Sequence, residues 1–154
     1  MINAEEFLGM TTSGANSTRV IPIPEDEYVA IVDTDGIGLA DFTYKRGERE
    51  GQKGYRMTVR WAIDDPEGSI EKQIGRKPVI TQSVMIDFTD EGGLDMGEGK
   101  NVRLGQLRDA VNQNEDGKPW QPAMLIGQQA RIKVEHSIGD NGDILANVNR
   151  VTRF

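Results

Sequence analysis

Tyr55 to Ile63 alternate without a break between two kinds of residue. Tyr55, Met57, Val59, Trp61 and Ile63 fall on one parity, and Arg56, Thr58, Arg60 and Ala62 on the other. Only an extended chain places every second side chain on the same face, so this run predicts a β-strand with one face buried and one wet. A sheet needs partners for such a strand, and the flanking sequence supplies them. A first strand over Glu27 to Asp33 follows Pro22 and Pro24, with Tyr28, Ala30 and Val32 on one side and Val29 and Ile31 on the other. Apolar residues on both faces predict that it lies between the core and a covered flank. Asp35-Gly36 with Gly38 marks a turn or bulge behind it. A third strand runs from Val79 to Phe88 and aligns Ile80, Val84, Ile86 and Phe88, with Gln82 as a polar exception in that row.

Beyond the third strand the period changes from two to that of a helix. Asn101 is the expected N-cap of a helix reaching Gln113, with Val102, Leu104, Leu107 and Val111 on one face. Gly105 costs this helix about 1 kcal/mol relative to alanine, so tertiary packing has to hold it. Trp120, set between Pro119 and Pro122, reads as a plug over one end of the core, with base stacking as its other reading. A fourth strand then points Ala130, Ile132 and Val134 inward and Arg131 and Lys133 outward. Gly139-Asp140-Asn141-Gly142-Asp143 is a hairpin turn into a fifth strand through Val148.

Three strands, a helix and two strands predict an all-β protein with one helix. The expected form is a five-stranded OB-like barrel with strand order β1-β2-β3-α-β4-β5, an architecture used on single-stranded nucleic acid. Residues 20–154 form that domain. Residues 1–19 are an appendage, in which Asn3 and Glu6 make a capping box for a short helix through Phe7, Leu8 and Met10. Thr11 to Thr18 is a polar linker, and the appendage packs on the barrel or swaps onto a neighbour in a homo-oligomer.

Composition removes several kinds of chemistry. With no cysteine, the chain has no disulfide, zinc-thiolate site or thiol nucleophile, which suits a reducing cytoplasm. One histidine, His136, excludes histidine triads and multi-histidine metal centres. Asp140, Asn141 and Asp143 lack the later bidentate Glu of a calcium loop. The glycine clusters lack the Lys and Ser/Thr of a phosphate loop. No metal site, cofactor or catalytic group is therefore expected. The acidic N-terminus and the lack of a long apolar run predict a cytoplasmic protein with no membrane partner.

The net charge of −7 opposes binding to phosphates, but the charges are unevenly spread. Acids crowd into loops, while bases sit on strands and in the loop after the first strand. The candidate nucleic-acid-binding residues are Tyr44, Lys45, Arg46, Arg49, Lys53, Tyr55, Arg56, Arg60, Arg131 and Lys133. The cations would follow phosphates and the two tyrosines would stack on bases. Alternating Arg and Thr is equally the pattern of an ordinary wet strand face.

Several short motifs resemble a family of small phage-encoded single-stranded-DNA-binding proteins of the OB type. They are Pro24-Glu25-Asp26-Glu27-Tyr28, Tyr55-Arg56-Met57-Thr58-Val59, Gly75-Arg76-Lys77-Pro78-Val79, the Leu-bearing helix Leu104 to Val111, and Leu125-Ile126-Gly127. The resemblance covers residues 22–151. It implies non-enzymatic, largely sequence-independent coating of single-stranded DNA during phage replication or recombination, alongside the proteins of those processes. The chain departs from the pattern at its end, Asn149 to Phe154, which is not the acidic tail that recruits partner enzymes. Two other readings stand beside it. One is a barrel used for protein contacts, as a virion or adaptor component. The other is a metal-dependent nuclease using Asp87, Asp90 or Glu91.

Overall fold

The alternating run is a strand, and it lies next to the middle of a five-stranded antiparallel sheet. The computed structural model describes residues 1–154. The strands are β1 (Asp26–Thr43), β2 (Lys53–Ile63), β3 (Val79–Ile86), β4 (Gln129–Ile138) and β5 (Ile144–Thr152). Three helices accompany them, α1 (Ala4–Leu8), α2 (Ser69–Ile74) and α3 (Val102–Ala110), with a 3-10 turn at Pro122–Leu125. No helix is long and apolar enough to cross a membrane.

The order of strands in space is β3-β2-β1-β4-β5. This corrects the expected order along the chain, and no ladder closes the sheet into the expected barrel. β3 pairs with β2 alone and β5 with β4 alone, so the ladder is open between them. The physical reason lies in β1 and α3. β1 is 18 residues long and offers both of its edges, one to β2 and one to β4. The connections after β1 and β2 carry the chain outward to β3. α3 and the 3-10 turn then bring it back across the core to the vacant edge of β1.

The core is the inward row of each strand. Val59, Trp61, Ala130, Ile132 and Leu125 have no measurable exposure, and Val32, Val84, Val134 and Leu107 are nearly as buried. Burying an aromatic side chain the size of Trp61 contributes about 4 to 6 kcal/mol of transfer free energy. Its indole N–H donates to Gln82 Oε1 at 2.9 Å. Gln82 breaks the apolar row for that reason, since an unpaired buried donor would cost about 1–3 kcal/mol.

β1 extends ten residues past its expected end, because Asp35-Gly36 is a bulge and not a terminating turn. Its register with β2 slips between Val32 and Ile37. A Cβ on Gly36 would lie 2.8 Å from the Asp33 carbonyl oxygen and 3.0 Å from that of Arg60, so the bulge accepts only glycine. Bulges bend a strand and add twist. Beyond this one, Ile37 to Thr43 keep β2 as partner but have left β4.

Two helix ends differ from expectation. Asn101 occupies the N-cap position of α3 in a left-handed conformation (φ 51°), and its side chain does not cap the helix. It accepts from the Asp87 N–H at 2.8 Å and donates to the carbonyls of Asp87 and Asp95, closing the loop between β3 and α3. Val102 is exposed, and the buried side of α3 is made by Leu104, Leu107, Arg108 and Ala110. α2 was not foreseen. Asp65 organises it by accepting from the backbone N–H groups of Glu71 (3.0 Å) and Ile70 (3.2 Å), while Ile74 anchors it in the core. Those bonds, that of Glu71 foremost, hold the Asp65 carboxyl below the usual aspartate range.

In the appendage, Asn3 Oδ1 accepts from the Glu6 N–H at 2.8 Å and starts α1. Every residue from Met1 to Ile21 is exposed. The segment is tied down at its end, where Arg19 donates to the Gly142 carbonyl (2.9 Å) and pairs with Asp143 (3.4 Å) on the β4–β5 hairpin.

Candidate nucleic-acid interface

The pairing register decides which side chains share the outer face of the sheet. Directly opposed residues of antiparallel strands point the same way. Arg56 faces Ala40 and Met85, and Arg60 faces Thr81, all on the side away from the core. Two residues along β1 from Ala40, Phe42 lies on this outer side, and Tyr44 continues the row into the loop. The rings of Phe42 and Tyr44 meet edge to face with centroids 4.9 Å apart.

Gly54, directly opposite Phe42 on β2, makes room for both rings. A Cβ built there would fall 2.5 Å from Phe42 Cζ and 2.7 Å from Tyr44 Cε2. Both rings therefore bring an edge close to the β2 backbone at Gly54. The Arg56 guanidinium is 6.0 Å from the Phe42 ring centroid and makes no ion pair. Exposed Met85 is opposite Arg56 on β3. Two rings, a thioether and a free guanidinium thus form one surface of the kind on which unpaired bases stack.

The loop after β1 closes one end of this surface. Arg49 donates to the Tyr44 hydroxyl at 3.0 Å, sits 5.4 Å from the Tyr44 ring centroid, and is 3.9 Å from the Asp87 carboxylate. Lys45 and Arg46 are exposed and make no ion pair. Lys53 is held by Asp41 at 3.1 Å, on the parity opposite to Arg56, and this bond raises its pKa. Tyr55 shares the inward parity of β2. It is half-buried against Phe88, at 5.2 Å between ring centroids. Lys53 and Tyr55 therefore do not belong to the Phe42–Arg56 surface.

Arg60 continues the outer row of β2 but pairs with Asp33 of the bulge at 3.6 Å. Arg131 and Lys133 point outward from β4, opposite Val29 and Glu27 of β1. Lys133 pairs with Glu135 at 3.2 Å, and Arg131 has no ionic partner. The sequence reasoning thus named two basic groups, one on β2 and its loop and one on β4, with β1 between them. It missed Phe42, Gly54 and Met85. The spacing of Phe42 and Tyr44, two residues apart, was the available signal.

The other conspicuous residues have structural work. Trp61 is wholly in the core. Trp120 is half-buried, with the Arg108 guanidinium 4.3 Å from its ring centroid and its indole N–H bonded to Gln113 at 2.9 Å. Burial lowers the pKa of Arg108. His136 Nε2 donates to the Ile23 carbonyl at 2.7 Å, which fixes the chain leading into β1. Asp87 faces Arg49, and no three His, Cys, Asp or Glu side chains gather as metal ligands. No protein-family model matches the sequence, and no curated protein matches it either.

Proposed function

We propose that this chain binds single-stranded DNA without chemistry on it, as an OB-type, partly open five-stranded barrel. The spatial order β3-β2-β1-β4-β5, with α3 lying against both outer strands of the sheet, supports that architecture. The observation that carries the functional reading is the Phe42–Tyr44 pair laid on Gly54 beside unpaired Arg56. Phe42, Tyr44 and Met85 keep part of their apolar surface open to solvent on this strand face. Bases of any sequence gain about 1–3 kcal/mol each by stacking there. Lys45, Arg46 and Arg56 stand ready for phosphates, and the acids behind the net charge of −7 lie mostly in other loops. Such a protein coats and protects exposed strands during replication or recombination.

The reading is tested by fluorescence anisotropy of labelled oligo-dT, set against a duplex, over a range of salt. Single strands should bind preferentially, with the logarithm of affinity falling about 0.7 per neutralised phosphate against the logarithm of salt. No binding at low salt, across several lengths, would sink the reading. A protein-contact role has its own observation, the exposed apolar residues Phe7, Leu8 and Met10 at the end of a polar linker. A defined oligomer or partner complex indifferent to oligo-dT would favour it.

A further inference from the structure

The open seam of the sheet is itself a cavity. Between β3 and β5, floored by α3, lies a space of about 590 Å³. Gln82 of β3, Arg103 and Asp109 of α3, Asn149 and Arg150 of β5, and Arg153 line it. Arg153 is neutralised by Asp109, at 3.1 Å. Arg103 and Arg150 have no ionic partner, so the slot carries two uncompensated guanidinium groups. Its lining is mostly polar, unlike an apolar small-molecule pocket. β3 and β5 approach each other but form no backbone hydrogen bonds across the seam, so N–H groups of both edges are left without a strand partner there. Free guanidinium forks with open backbone amides form a site for phosphate oxygens.

The position of the slot joins what the strand register keeps apart. Going around the sheet by way of β1, the basic residues of β2 and β4 are separated by Asp33 and Glu27. Going the other way, the outer face runs from Phe42 and Arg56 over Met85, Ser83 and Thr81 of β3 to the slot. On its far side Arg150 lies directly opposite Lys133, and Thr152 opposite Arg131. We infer that the β3–β5 seam is a phosphate-binding channel, and that a single strand of nucleic acid stacked on Phe42 and Tyr44 continues across it to Arg150, Lys133 and Arg131. The inference rests on the single-strand-binding reading and assigns the route the strand takes.

The experiment compares the intact protein with Arg103→Ala/Arg150→Ala, using one oligo-dT short enough to stay on the Phe42 surface and one long enough to reach the seam. The double variant should bind the long oligonucleotide about tenfold more weakly, with a salt slope lower by about 1.4. Its affinity for the short one and its Tm should be unchanged, because both side chains are exposed. An unchanged slope for the long oligonucleotide, or an equal loss for both lengths, overturns the channel while leaving the binding function in place. An intact protein that binds neither length takes down the function and the channel together.

Discussion

Around Ala30 and Ile31, β1 has a strand on each side, and its Ala30 and Val32 are almost completely buried. From Ile37 to Thr43 the same strand has β2 alone, and Leu39 is more than half exposed. The first half builds the core. The second carries Phe42 and leads into Tyr44, which is where the proposed ligand surface lies. The bulge at Asp33 to Gly36 separates the two. On the proposed function, one strand serves stability and recognition because its support is withdrawn midway, and the two halves should respond differently to mutation.

The largest effect belongs to the supported half. Trp61, opposite Val32, fills the core and bonds to Gln82. Trp61→Ala should lower stability by about 3–5 kcal/mol in denaturant unfolding. Phe42→Ala, in the other half, should lower it by less than about 1 kcal/mol, since surface changes are usually mild. Equal losses would mean that the halves are not energetically distinct.

A smaller effect is expected where the halves meet. Gly36→Ala forces a methyl group against two backbone carbonyls and should cost about 1–3 kcal/mol. It should also weaken oligo-dT binding, because the bend that sends Ile37 to Thr43 away from β4 is disturbed. Full stability in this variant would show that the bulge tolerates a side chain.

The smallest effect lies outside both halves and depends on pH. The Asp65 carboxyl is held low by the Glu71 and Ile70 amides, so its bonds stabilise the fold fully above the ordinary aspartate range. That contribution is lost as pH falls through the lowered folded-state value. Asp65→Asn should therefore melt below the natural protein at neutral pH, with the gap closing as pH falls below about 4. A gap independent of pH would mean that the carboxylate charge plays no part in holding α2.

How much of this was legible in the sequence follows the same division. β2, β3 and β4 announce themselves because each has one buried face, so apolar and polar residues alternate. The far half of β1 has no such pattern. Gly38-Leu39-Ala40-Asp41 mixes small, apolar and acidic residues, and Gly36 reads as a turn. Pairing to β2 makes it a strand, which is tertiary context overriding local preference. Phe42 was hidden for that reason. Gly54 looked like part of a polar loop because its role depends on two rings that arrive from another strand. Arg56, Arg60, Arg131 and Lys133 were readable as outward-facing, but the counter-charge that pairs with Arg60 is set by the register and the bulge. The open seam could not be read, since it depends on which neighbouring strands fail to pair by hydrogen bonds. α2 carried a faint sign in Asp65 followed by Ser69 and Glu71.

The central claim is that the unsupported half of β1 carries the binding surface, and Phe42→Ala/Tyr44→Ala tests it most directly. Anisotropy titration of labelled oligo-dT at fixed salt should show a loss of about tenfold or more in affinity. The Tm should stay within a few degrees of that of the natural protein. Undiminished affinity in this double variant would contradict the account.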